Sequence, residues 1–306
     1  MTYVVLGSLG HISKPLAEKL IAAGHSVTVV SSNPEKAEQI ILMGAKAAIG
    51  SVEDVRFLTH TFVGANAVYT MVPPNFAAAN WKQYIAGIGD NYVTAIKTSG
   101  VKNVVNLSSM GAHMHDGCGP VSGLFHVEKS LNGLAGVNVK HLRPGFFYTN
   151  LLSSIGLIKG SGIIGGNYGN NATLIFTHPN DIAEVAAHDL LGLWFRGKSI
   201  HYIASDEKNT SEVAAILGKA IGKPDLKWIN FSDQETLDGM LQAGLPEDIA
   251  RNYMEMGAAM RNGEMQTEYL LNRPTDLGKT KLEDFAREFA TVYNQTQPAT
   301  KSRMEH

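Results

Sequence analysis

The chain has 306 residues, 44% hydrophobic and 18% charged, enough for a large core in one domain or in a main domain with a smaller lobe. A formal charge of −2 gives no basic footprint for nucleic acid, and the single cysteine, Cys118, excludes an intrachain disulfide. No apolar run approaches the ~20 residues of a membrane-crossing helix, and the first residues run straight into a strand, so a cytoplasmic protein is the expectation.

The first element is the apolar run Tyr3, Val4, Val5 and Leu6, the pattern of a parallel strand buried on both faces. A Gly-x-x-Gly turn follows at Gly7 and Gly10, and then a helical repeat that buries Ile12, Leu16 and Leu20, with Pro15 in its first turn. A strand, a tight glycine turn and a helix N-terminus together form a site for a pyrophosphate. Ser13 stands where the third glycine of the usual fingerprint allows close helix–strand packing, and is small enough to do the same.

The second strand, "HSVTVVSS", ends at Ser31 and Ser32 with no carboxylate to hold the ribose 2'-hydroxyl of NAD. Ser31, Ser32, Asn33 and Lys36 offer donors to a 2'-phosphate instead, which favours NADP as cofactor with NAD as the alternative. The same residues also read as a loop capping a helix that starts near Pro34.

Further strands are expected at Ala45 to Gly50, Asn66 to Val72, Lys102 to Ser109 and Val137 to Gly145, with helices near Asp54 to Phe62, Trp81 to Ser99 and Phe125 to Leu134. Alternation of this kind predicts an α/β fold of the Rossmann type, a doubly wound parallel sheet covered on both faces. Its ligands lie at the carboxyl ends of the strands, where Val72, Pro73, Ser108, Pro144 and Gly145 fall. The glycine-rich stretch at 156–171 reads as a loop or hairpin over the cleft, "HPNDIAEVAAHDLLG" as a helix with Asp181 near its start, and "KSIHYIAS" as a late strand. From Ser211 to Tyr293 the pattern is mostly helical, broken at Pro224, Pro246 and Pro274. The expected division is an NAD(P)-binding domain at 1–205, a smaller, mostly helical cap lobe at 206–296 and a flexible tail at 297–306.

"VVLGSLGHISKPLAEKL", "VKNVVNLSSMGAH", "HLRPGFFYTNLL", "THPNDIAEVAAHDLL" and "LEDFAREFATVY", in that order, resemble the NmrA-like family of atypical short-chain dehydrogenases/reductases over nearly the whole chain. The family holds NADPH-dependent quinone and dye reductases, and also members that bind dinucleotide to sense redox state. The resemblance implies that Gly7, Ser8, Leu9, Gly10, His11 and Ile12 surround the pyrophosphate. Ser32 replaces a basic residue often found at the end of the second strand, leaving Lys36 as the main cation there.

The Tyr-x-x-x-Lys pair of typical short-chain dehydrogenases is missing, for Leu124 and Glu128 occupy the two positions. His126 is the candidate acid, with a structural histidine under the loop as the alternative. Glu128 is assigned to ordering the nicotinamide ribose or a neighbouring backbone group, and Ser108 or Ser109 to orienting a carbonyl or capping a loop. His113, His115 and Asp116 lack a further ligand at metal-binding spacing, so no metal is expected. After Gly145, the residues Phe146, Phe147, Tyr148 and Asn150 suit an aromatic wall with one polar anchor, or interlobe core. Met254, Met256, Met260 and Met265 supply the opposite wall or ordinary packing.

These readings lead to an NAD(P)H-dependent oxidoreductase that passes hydride to a quinone or a similar planar acceptor. The alternative is a non-catalytic redox sensor with a protein partner, and a sugar-nucleotide epimerase stands third.

Overall fold

The computed structural model describes residues 1–296; the expected tail at 297–306 lies outside the described residues. The strands in chain order are β1 (Thr2–Val5), β2 (Ser26–Ser31), β3 (Lys46–Ile49), β4 (Ala67–Thr70), β5 (Asn103–Leu107), β6 (Asn138–Pro144), β7 (Phe146–Phe147), β8 (Ile164–Gly166), β9 (Thr173–Thr177), β10 (Lys198–Ile203), β11 (Asp206–Asn209) and β12 (Trp228–Asn230). The helices are α1 (Ser13–Ala22), α2 (Ala37–Leu42), α3 (Val55–Phe62), α4 (Trp81–Ser99), α5 (Pro120–Asn132), α6 (Ile155–Ser161), α7 (Pro179–Gly192), α8 (Thr210–Ala220), α9 (Asp233–Gln242), α10 (Glu247–Arg261), α11 (Thr267–Leu271) and α12 (Leu282–Gln295).

Seven strands form a parallel sheet in the order β10-β6-β5-β4-β1-β2-β3. Helices α1 and α7 pack on one face, and α3, α4 and α5 on the other. The chain reverses its winding between β1 and β4, so the crevice at their carboxyl ends is where such a sheet takes a ligand. Side-chain caps fix the helix starts: Asp54 Oδ1 accepts from the N–H groups of Arg56 and Phe57 at α3, and Asn80 accepts from that of Gln83 at α4. Gly100, at φ +78°, ends α4 in the left-handed conformation.

Two regions differ from expectation. The segment at 156–171 is not a loop or hairpin: a 3-10 turn (Tyr148–Ser154) runs into α6, and β8 pairs in parallel with β12. Ile155, Ile158 and Ile164 hold it in a second core, and a Cβ at Gly165 would strike the Ile229 carbonyl, so glycine permits that close strand pairing. Helix α5 begins at Pro120 rather than Phe125, because Gly119 turns the chain at φ +55° against the backbone of Asn252 in α10.

A three-stranded sheet, β11-β9-β7, joins the central sheet to the second core. Tyr148 belongs to that core and not to a cleft wall. Its ring is fully buried, stacked between Phe176 and Phe285 with both centroids 5.2 Å away, because the 3-10 turn that starts at this residue points it inward.

Candidate active site

The turn between β1 and α1 is built to face an anion. Gly7 has φ +99°, and a Cβ there would collide with Ser13 Oγ, which lies under the turn and donates to the Leu6 carbonyl at 2.7 Å. Ser13 thus replaces the third glycine by hydrogen-bonding into the strand end. Ser8 sits at φ +56°; its N–H is held by the Val30 carbonyl at 2.9 Å, and its hydroxyl donates to Ser31 Oγ at 2.9 Å. The backbone N–H of Gly10 folds back on the Gly7 carbonyl at 3.1 Å. Those of Leu9, His11 and Ile12 have no protein acceptor among the described residues, and they stand where the dipole of α1 begins. Three free donors around a side-chain-free cradle fit a pyrophosphate.

At the end of β2, Ser31 is buried, and its Oγ is occupied by Ser8 and by the Asn33 backbone at 3.2 Å. Ser31 therefore shapes the turn, while Ser32 and Asn33 are exposed and Lys36 is half-buried. Asn33 Oδ1 accepts from the Glu35 N–H at 2.9 Å, which leaves its amide N–H groups outward. The capping reading of this loop is what these hydrogen bonds show.

Beyond the carboxyl ends of β4, β5 and β6 opens a cleft of about 310 Å³. Val72, Pro73, Ser108, Ser109, Gly145, Phe146, Phe147 and Asn150 line it, as do Met256, Met260 and Met265, whereas Met254 does not. Sequence reasoning missed Met71, Met110, Trp81, Ile85 and Gln266, which reach it from beyond the ends of β4 and β5, from α4 and from the start of α11. Trp81 follows an Asn N-cap and so was legible only as a helix start. Gly145 lets the floor close up: its N–H donates to the Ile203 carbonyl at 3.1 Å and to Thr177 Oγ1 at 2.9 Å, and a Cβ there would strike the Ile175 carbonyl. Pro144 is the buried last residue of β6, and its carbonyl accepts from the Met110 N–H at 2.9 Å.

The place of the missing Tyr-x-x-x-Lys pair is filled by a buried ion pair. Glu128 takes Arg143 Nε at 2.9 Å and Nη2 at 2.7 Å, and Ser108 Oγ donates to it at 2.5 Å. Arg143 Nη1 reaches Tyr202 Oη at 2.8 Å and Glu268 at 2.6 Å. Burial opposes the charge on Arg143, but the hydrogen bonds and charge of Glu128 outweigh it and hold the guanidinium above its ordinary value. Burial pushes the Tyr202 phenol up to about 12, so it stays a donor. Glu128 is thus turned away from the cleft, toward Arg143, and touches it only through Ser108. This corrects its assignment to the nicotinamide ribose. Nothing local in the sequence pairs Glu128 with Arg143, which lies on another element.

His126 is exposed on α5, edge-on to Phe125, and does not line the cleft, which removes it as an acid acting there. Ser109 does line it, half-buried, its hydroxyl donating to the Met110 carbonyl at 2.9 Å. Cys118 is buried with its thiol pushed up to about 12 by burial, so it offers no nucleophile. Asp181 ties α7 to the segment before α12, accepting from Ser205 Oγ at 2.6 Å and from the Thr280 N–H at 3.2 Å.

An open parallel sheet with an anion-ready glycine turn at its switch point defines a dinucleotide-binding protein of the doubly wound class. Residues 7–129 match the model of the NAD(P)H-binding family and form an NAD(P)H-binding domain. Among solved structures the fold is similar to the NADPH-dependent quinone oxidoreductase QOR2 of Escherichia coli, at 20% identity and TM-score 0.79 over 94% of this chain and 99% of that one. It is similar to the triphenylmethane reductase of Citrobacter sp., at 19% identity and TM-score 0.79 over 95% and 100%. A nucleoside-diphosphate-sugar epimerase of Staphylococcus aureus matches at 18% identity and TM-score 0.76 over 94% and 100%. No curated protein matches the chain. Among the described residues no helix is long and apolar enough to cross a membrane.

Proposed function

We propose that the protein is a cytoplasmic NAD(P)H-dependent reductase, with NADP(H) preferred, that passes hydride to a quinone or a similar planar conjugated acceptor. The observation that carries the reading is the cleft: apolar and aromatic walls at the carboxyl edge of the sheet, with Met71 of its lining packed beside Gly7 of the phosphate turn, and no titratable side chain in its lining. Two of the similar folds belong to reductases of a quinone and of a dye, which supports it.

In this reading Leu9, His11 and Ile12 hold the pyrophosphate by backbone N–H groups, and Ser32, Asn33 and Lys36 face the adenosine 2'-phosphate. When bound, the reduced nicotinamide supplies the hydride. Phe146 and Phe147 hold a flat ring beside it, Asn150 orients the acceptor oxygen, joined by the Ser109 hydroxyl when it turns from the Met110 carbonyl, and water delivers the proton. The test is NADPH oxidation with a panel of quinones and dyes, with Gly10→Asp as control. A carboxylate there, against the Gly7 carbonyl and the phosphates, is expected to abolish turnover. Cofactor binding without oxidation by any acceptor would refute the reading.

A second reading, a redox sensor with a protein partner, is favoured by the ion pair that fills the catalytic position. It requires unequal affinity for NADP and NADPH, and equal constants in a titration would end it. An epimerase has least support: the lining holds no cation for a sugar diphosphate and no tyrosine–lysine pair.

A further inference from the structure

We infer that the cleft sorts acceptors by the sign of their charge, admitting neutral and delocalised cationic hydride acceptors and rejecting anionic ones; the inference rests on the reductase reading. No Lys, Arg, His, Asp or Glu lines the cleft. Two cations stand next to it, and each is held by two carboxylates. Lys82, beside Trp81, meets Asp116 and Glu255 at 2.9 Å each. Arg143, behind Ser108, meets Glu128 at 2.7 Å and Glu268 at 2.6 Å. Two positive charges against four negative ones leave this surround net acidic. An anion entering would lose its hydration, find no free counter-ion and face that excess. A delocalised cation would instead meet the aromatic rings of Phe146 and Phe147 and the polarisable thioethers of Met256, Met260 and Met265.

The chemistry points the same way. A triarylmethane cation takes hydride at its central carbon: one C–H bond of the dihydronicotinamide breaks, one C–H bond forms, and the product is neutral without any proton. A neutral quinone takes hydride and then one proton from water to give the hydroquinone. Neither needs a titratable group in the wall, and the wall has none.

The test compares kcat/KM for 1,4-naphthoquinone, its 2-sulfonate and a cationic triarylmethane dye, with NADPH saturating. The sulfonate is expected to fall at least about tenfold below its parent, although its electron-withdrawing group makes the ring the better hydride acceptor. The gap should narrow with added salt and in Gln266→Lys or the more exposed Asn150→Lys, each checked for folding by NADPH binding. A sulfonate within about threefold of its parent, or a gap that neither lysine narrows, would overturn the inference. The same ranking is read as Kd from quenching of Trp81 fluorescence with NADP bound. If none of the three probes turns over, the reductase reading fails on its own, and the Kd ranking alone upholds or overturns the charge sorting.

Discussion

Replacing Glu128 by alanine should destabilise the protein by about 3 kcal/mol, near the lower end of the range for removing one partner of a buried pair. The side chains of Glu128 and Arg143 are 6% and 5% exposed, so the guanidinium left behind cannot recover its hydration. Three hydrogen bonds vanish, two from Arg143 and one from Ser108. Glu268 and Tyr202 stay with Arg143, and the Glu268 side chain, 40% exposed, keeps a counter-charge in reach, which is why the loss stays near the lower end. For a chain of this size the loss lowers Tm by roughly 5 °C. Removing both charges in Glu128→Ala/Arg143→Leu should recover at least half of it, because no unpaired charge is then buried. Urea unfolding of the two single variants and the double variant decides the point. If Glu128→Ala costs under about 1 kcal/mol while the double variant is worse than either single one, the buried-charge reasoning is wrong.

Three further outcomes are expected. Burial lowers the His141 imidazole to about 4; its Nδ1 accepts from Asn106 and its Nε2–H donates to Asn132, both at 3.1 Å. The unfolded chain binds that proton near ~6.5, so stability is intact above that pH and falls by about 3 kcal/mol as pH drops toward 4; unfolding curves across this window should lose most of the slope in His141→Gln. Gly145→Ala forces a methyl against the Ile175 carbonyl, and calorimetry should show a loss of about 1–3 kcal/mol; an unchanged Tm would mean that β9 yields freely. Ser32→Arg should raise the preference for NADPH over NADH by about tenfold, and Lys36→Ala should weaken NADPH alone by a few-fold; equal effects on both cofactors in a titration would place the 2'-phosphate elsewhere.

The first half of the chain was legible because its signals are local. A buried strand shows as an apolar run, Gly7 and Gly10 mark the turn, and the helix caps lie within three residues of what they cap. The six strands from β1 to β6 fall where the pattern placed them, within a residue or two. Beyond Gly145, structure depends on distant pairing. The three residues of β8 carry two glycines and become a strand only against β12, some sixty positions on. The sequence of β11, "DEKN", shows no apolar alternation, and its strand state comes from lying beside β9. The aromatic run after Gly145 read as one wall, but two extended residues followed by a 3-10 turn send Phe146 and Phe147 to the cleft and Tyr148 to the core. In the site, glycines and backbone donors were readable, whereas Glu128 could be placed on its helix but not given its partner.

The arrangement of the cleft also separates two inheritances. On the proposed reading the hydride donor is held by backbone, the turn at Gly7 to Ile12, where Gly7 and Ser8 both take positive φ and a substitution at Gly7 strains the main chain. On the same reading the acceptor is held largely by side chains from α10 and the residues just after it, Met256, Met260, Met265 and Gln266, which line the cleft. Point substitutions there can alter what is reduced while what does the reducing stays fixed. A lineage built on this chain can therefore explore new acceptors one residue at a time without surrendering its coenzyme.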